Sequence, residues 1–269
     1  MSGSTPQPRR RVRPHGLQAA APWLFGLTLL LAWALVVAVA APPPYMLPAP
    51  LAVAERLGTA LGSPVFWPAV RETFAEAVGG SLLGTAVALP LAVAIHRSRL
   101  LNAAITPFLG ATQAIPAIAI APLLAIWVGY GIGPIILLCA LMVFFPILVS
   151  AVVGLRHVDH HVVDAARMDG AGSFALLRHI EFPLALPTVL AGLRNGFALA
   201  VTGAVVGEMV MGGSGLGQLL TIQRDAVDTA GMFATIVVLC AMASALYGLI
   251  LLIERRSRTV ASLLPTDRP

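Results

Sequence analysis

The sequence predicts an all-α membrane protein with six transmembrane helices, and three observations point there. Hydrophobic residues make up 58% of the 269-residue chain and charged residues 11%, against about 25% charged in an average soluble domain. The mean hydropathy is +0.88. All 17 basic residues are arginines, with no lysine anywhere, and they fall between long apolar runs. A water-soluble fold of this size needs more surface charge than that, which argues against an ordinary cytosolic enzyme.

A spanning helix takes about 20 mostly apolar residues. Residues 1–21 form an arginine-rich tail, and 22–41 the first span, uncharged throughout. The same layout fits a signal peptide with Ala38-Val39-Ala40 as its cleavage site. The length of the run and the spans that follow favour an uncleaved helix. Residues 42–68 are proline-rich and expected on the outside. The stretch 51–76 carries Glu55, Arg56, Arg71, Glu72 and Glu76 and is expected outside the hydrocarbon. Further spans are expected near 77–95, 103–128, 134–155, 188–210 and 232–253, with a long charged loop at 156–187 and a basic tail at 255–269. Gly212 to Gly217 reads as a turn into a short outer helix over 219–227.

The arginines set the orientation. With the N-terminus inside, thirteen arginines lie in the two tails and the 96–101 and 156–187 loops. Arg56, Arg71 and Arg224 lie outside, and Arg194 falls within the fifth span. That is a strong positive-inside bias, so both termini are expected in the cytoplasm of a multi-pass cell-membrane protein. The net charge of +5 therefore needs no nucleic acid to explain it.

Several chemistries are excluded by residue type. Without lysine there is no phosphate-binding P-loop, so the chain is not itself a P-loop ATPase, and no Schiff-base or pyridoxal anchor. Cys139 and Cys240 each sit mid-way along an apolar run and read as small hydrophobes rather than a disulfide or metal pair. His157, His160 and His161 have only Asp159 and Asp164 near them in sequence, and a solvated face is the simpler reading than a metal site. No catalytic residue, metal or cofactor is expected in this chain.

The 156–187 loop is too long for a plain connector. Asp159 can cap a helix with Val162, Val163 and Ala166 on one face, and Gly170 is a natural stop. Ser173 can cap a second short helix bearing Phe174, Leu177 and Ile180, which Pro183 follows. Two short amphipathic helices joined by a glycine bend suit docking to another protein; the plainer alternative is a loop lying on the bilayer surface.

At this loop the chain resembles a known family. Asp164-Ala165-Ala166, then Gly170, Ile180 and Phe182-Pro183, has the spacing of the E-A-A-x3-G-x9-I-x-L-P loop of permease subunits of bacterial binding-protein-dependent ABC importers. Asp replaces Glu and Phe replaces Leu. The likeness covers roughly 66–256 and includes Gln113-Ala-Ile-Pro116, Phe144-Phe145-Pro146-Ile147, and Glu208-Met209 followed by Ser214-Gly-Leu-Gly217. These stretches look like the nitrate/sulfonate/taurine class, which also holds permeases for thiamine-pyrimidine precursors and riboflavin. The resemblance implies a type I ABC importer permease fold, with a permease domain over 69–254 and a cytoplasmic coupling helix. It assigns ATPase coupling to Asp164, Ala165, Ala166, Arg167, Gly170, Ile180 and Pro183. The implied partners are an ABC ATPase subunit carrying ATP and Mg, a periplasmic or lipid-anchored substrate-binding protein, a second permease copy (a homodimer) and membrane lipid, but no nucleic acid. The implied mechanism is alternating access driven by ATP, for a sulfonate, nitrate or taurine-like anion, with a thiamine-pyrimidine precursor or riboflavin as the alternative.

Candidate pathway residues are less distinctive. Gly192, Gly196, Gly203 and Gly207 share one stripe of the fifth span, which reads either as close helix packing or as a narrow face on the solute path. Gln113 lies among Pro107, Pro116 and Pro122, and reads as a pathway residue or a helix-helix hydrogen bond. Glu208 at the outer end of span five is a functional candidate, or a group reaching interfacial water. The rival class, an ATP-independent secondary transporter or channel, would need titratable groups inside the membrane, and only Arg194 and Glu208, near span ends, offer themselves.

Overall fold

The computed structural model describes residues 16–111 and 116–256, and every regular element among them is helical. In chain order these are α1 (Gly16–Ala40), α2 (Pro50–Leu61), α3 (Phe66–Arg97), α4 (Arg99–Ala111), α5 (Ala117–Val128), α6 (Ile132–Arg156), α7 (His160–Met168), α8 (Ser173–Leu176), a π-helical turn (Leu177–Glu181), α9 (Phe182–Met211), α10 (Leu216–Asp225) and α11 (Thr229–Arg256). Five stretches are long and apolar enough to cross a membrane: 20–40, 66–97, 132–156, 173–211 and 229–256.

The sixth expected crossing differs. Instead of one helix over 103–128, the chain forms α4 and α5, of 13 and 12 residues, separated at Pro116, which is extended with φ −71° and ψ 107°. At 1.5 Å per residue α5 covers about 18 Å, too little to cross alone. The reason is local: Pro116 has no N–H to donate and disfavours a helical residue before it. Gln113 lies outside the described residues.

The centre of the molecule is the packing of α3, α6 and α9. The membrane interior gives apolar side chains little reason to prefer each other over lipid, so spanning helices associate through close backbone approach. The sequence provides that approach with small residues at helical spacing. On α3, Ala77, Gly80, Gly84, Ala88 and Ala92 are buried along one face. A Cβ at Gly80 would run into Cys139 Cβ and lie 2.8 Å from the Ile136 carbonyl oxygen, and one at Gly84 would lie 2.7 Å from the Ala140 oxygen. Cys139 is fully buried at this contact, with its thiol 3.4 Å from the Ala200 carbonyl oxygen of α9.

The four glycines of α9 also face α6. A Cβ at Gly192 would stand 2.5 Å from Ser150 Cβ, at Gly196 3.0 Å from Val143, at Gly203 3.1 Å from Cys139 Cα, and at Gly207 2.9 Å from Ile135. All four are buried, so within this chain the stripe takes the helix-packing alternative.

Helix α1 is exposed along almost its whole length and touches α11 through Trp33 and Phe233, whose ring centroids are 5.5 Å apart. Helix α2 starts on Pro50 and is tied to the start of α11 by the Arg56–Asp228 ion pair at 2.5 Å.

Candidate functional site

The loop after α6 is built as the capping chemistry requires. The Asp159 carboxylate accepts from the His161 N–H at 2.8 Å and caps α7. At the other end Gly170 has φ +85°, and the N–H groups of Gly170 and Ala171 donate to the carbonyls of Arg167 and Ala166, both at 3.0 Å. That pattern closes a helix with glycine in the left-handed region. Asp164 and Arg167 lie one turn apart on α7, pair at 2.9 Å, and are both exposed. Ala165 is exposed, Ala166 half-buried, and Val163 buried against the bundle. Met168 and Phe174 remain 84% and 73% exposed, an apolar rim with no cover among the described residues.

The second half of the loop differs from the expected short helix ending at Pro183. From Ser173 the helix runs on through Pro183 to Met211. A proline inside a helix removes the hydrogen bond to the residue four before it. Here the turn just ahead of it widens, and the Phe182 N–H donates to the Leu177 carbonyl. A π-turn of this kind is the usual local accommodation of an irregularity. The second half of the loop and the fifth span are therefore one continuous rod. Ile180 is half-buried and packs on the core, as do Leu177 and Leu184.

That rod is clamped to α3. Glu181, 3% exposed, receives Arg97 at 2.7 Å on Oε2 and 3.5 Å on Oε1, and His96 Nε2 lies 3.5 Å from Oε2. The same Arg97 donates to the Ser173 carbonyl at 2.7 Å, so one guanidinium holds both ends of the α8–π-turn segment. Neither Arg97 nor Glu181 stands out in sequence, because the two are 84 positions apart.

The opposite end of the bundle holds Glu208, Thr73 and Glu76, all fully buried. Glu208 accepts from the Thr73 hydroxyl at 2.6 Å and from the Gly217 N–H, while the Leu216 N–H donates to Thr73 Oγ1 at 2.8 Å. A carboxylate at the first turn of α10 is where the helix dipole favours it. The glycines make room: a Cβ at Gly217 would lie 2.6 Å from the Val205 carbonyl oxygen, and one at Gly215 would strike the Glu208 carboxylate. The short helix expected over 219–227 is Leu216–Asp225, three residues ahead of the expected start.

Glu76, at the end of the stretch expected outside the hydrocarbon, is buried within α3, on the face that carries Thr73 and Gly80, next to Glu208. Both its oxygens are buried without a hydrogen-bond partner. The four-residue spacing from Glu76 to Gly80 and on to Gly84 placed it on the packing face, a signal outweighed by its charge. Arg194, in the fifth span, pairs with Glu254 of α11 at 2.7 Å and sits 5.6 Å over the Tyr247 ring. Near the loop, His157 Nδ1 lies 2.8 Å from the Val153 carbonyl oxygen, and His160 and His161 are exposed in the first turn of α7.

Residues 80–259 match the family described as "Binding-protein-dependent transport system inner membrane component". The chain belongs to that family. It is therefore an inner-membrane permease component of ABC importers, and the family is one of transport components. The riboflavin transport system permease protein RibX of Chloroflexus aurantiacus is 41% identical over 85% of this chain and 85% of its own length. The taurine transport system permease protein TauC of Escherichia coli is 30% identical over 80% of this chain and 78% of its own. In fold, the chain is similar to an inward-facing structure of the MetNI methionine ABC transporter, with TM-score 0.62 and 20% identity over 70% of this chain and 94% of that one.

Proposed function

We propose that this permease forms half of a solute path and takes its drive from an ATPase subunit seated under α7. The observation that carries this reading is the geometry of the loop. Helix α7 is short, capped at both ends and rimmed by exposed Met168 and Phe174, and it joins the α8–α9 rod that Arg97 clamps to α3. Exposed Ala165 lets a partner backbone approach, Asp164 and Arg167 supply polar contacts at the rim, and Gly170 turns the chain. Ile180 and Pro183 link the loop to the span. ATP and Mg belong to the partner, and force on α7 reaches α3 and α9 together. A second copy of the permease completes the path, and a binding protein delivers the solute to the end that carries α10. The loop end and both termini face the cytoplasm.

For the solute, we favour a neutral heteroaromatic molecule of the flavin type over a sulfonate or taurine-like anion. RibX is more similar to this chain than TauC is.

The test is uptake into proteoliposomes holding the complete transporter with ATP inside or outside. Riboflavin, followed by its fluorescence, is expected to accumulate with ATP hydrolysis, and taurine is not. Taurine uptake without riboflavin uptake would overturn the solute reading. For the drive, Ala165→Arg is expected to abolish co-purification of the ATPase while the permease stays monodisperse; intact co-purification would overturn the docking reading.

A further inference from the structure

The loop end of the bundle holds a second charged centre that the clamp does not use. Arg99, the first residue of α4, and Arg156, the last of α6, line one open cavity of about 500 Å3 with Asn102, Ala103, Thr106 and Pro107. The Arg156 guanidinium donates to Thr106 Oγ1 at 2.6 Å and to Asn102 Oδ1, and the Thr106 hydroxyl donates to Asn102 Oδ1 at 2.8 Å. These bonds hold Arg156 against α4 through one of its nitrogens. Among the described residues, neither arginine has a carboxylate partner.

Arg99 is also placed against the local electrostatics. The first turn of a helix presents N–H groups and favours a negative charge, so a guanidinium at the first residue is unfavourable unless an anion joins it. Only one N–H of that turn is used by a side chain, Leu101 donating to Ser98 Oγ at 3.3 Å. Two guanidiniums therefore line one cavity that begins at the first residue of α4, with no carboxylate among its lining residues. On the same helix Leu100 and Phe108 are 79% and 64% exposed, which puts apolar surface directly beside the charge.

We propose that Arg99 and Arg156 bind the phosphate of a membrane phospholipid headgroup, with the acyl chains lying along the exposed apolar side of α4. The planar guanidinium matches a phosphate with paired N–H donors, and basic cavities between spans at a membrane surface hold anionic headgroups in this manner. The assignment depends only on the chain being embedded in a membrane, and holds whichever solute is carried and whether or not α7 meets an ATPase.

The full chain purified in mild detergent is mixed with phosphatidylglycerol, phosphatidylcholine or inorganic phosphate, and retained molecules are counted by native mass spectrometry. One phosphatidylglycerol per chain is expected to stay bound to the wild type. Retention is expected to fall about five-fold for Arg99→Gln, which breaks no hydrogen bond in the protein, and further for Arg99→Gln with Arg156→Gln. Arg99→Lys is expected to recover part of it. Displacement of the lipid by millimolar inorganic phosphate would keep the phosphate site and make soluble phosphate its source. Equal phosphatidylglycerol retention by wild type and both Gln variants overturns the proposal. So does unchanged retention accompanied by loss of ATPase co-purification, which would give the arginines to a protein contact.

Discussion

The two ends of the α3–α6–α9 bundle each bury a glutamate, and they hold it by different means. At the loop end Glu181 faces a full positive charge, Arg97, which is itself 30% exposed and also grips the Ser173 carbonyl. At the α10 end Glu208 has no cation; a threonine hydroxyl and a backbone N–H hold it, in a space kept open by glycines. The first arrangement is a pair of long side chains that can slide while keeping contact. The second is a fixed fit of backbone to carboxylate. A segment that must pass motion from one element to another suits the former, and a rigid outer cap suits the latter.

The comparison can be broken in order of expected effect. Replacing Glu208→Ala removes two hydrogen bonds to a buried carboxyl group and leaves the Gly217 N–H without a partner, while Thr73 keeps the Leu216 N–H and the Ala69 carbonyl; the cost is about 3 kcal/mol. Thermal unfolding in detergent measures it, and a loss near zero would mean the outer cap is decorative. Arg97→Ala leaves buried Glu181 with only the His96 ring, 3.5 Å away; since Arg97 is partly exposed, the cost is about 2 kcal/mol, with Arg97→Lys in between. If the clamp carries motion, Arg97→Lys also lowers solute moved per ATP more than it lowers stability.

Glu76→Met sharpens the contrast from the other side. The polar neighbour of Glu76 is the Glu208 carboxyl rather than a cation, so this substitution is expected to be neutral or stabilising by up to about 1 kcal/mol. A large loss would show that Glu76 does a job that Glu208 does not.

The smallest effect concerns Asp228, outside the spans. Burial pushes its carboxyl up, but the Arg56 guanidinium and the Gly231 N–H outweigh that and hold it below the usual carboxylate range. A lowered value in the folded state stabilises the protein above the ordinary aspartate value near 3.9, and the gain is lost as pH falls further. The stability difference between wild type and Asp228→Asn is therefore expected to be flat above about pH 4 and to shrink below it.

Much of this was legible in the sequence, for reasons that differ by region. The spans follow from apolar runs, and the α7 loop from Asp159, Gly170 and the spacing between Asp164 and Pro183, all local signals. Where local rules misled, a neighbour had compensated. Pro183 reads as a helix stop, yet the π-turn ahead of it lets the rod continue, whereas Pro116 does break its span. Glu76 reads as part of a charged stretch outside the hydrocarbon, and its burial shows only in its spacing to Gly80 and Gly84, which places it on the packing face. The Arg97–Glu181 clamp and the Glu208–Thr73 contact join residues 84 and 135 positions apart. Nothing in either local stretch announces its partner.

The central claim, that α7 is the surface through which ATP hydrolysis acts, is tested most directly by cross-linking in the assembled transporter. With exposed Cys240 replaced and buried Cys139 left in place, single cysteines are introduced as Ala165→Cys on α7 and Ser214→Cys at the opposite end. The expected result is a cross-link from position 165 to the ATPase subunit, with yield changing when ATP is added, and none from position 214. No cross-link from position 165, or one to the ATPase from position 214, would contradict the account.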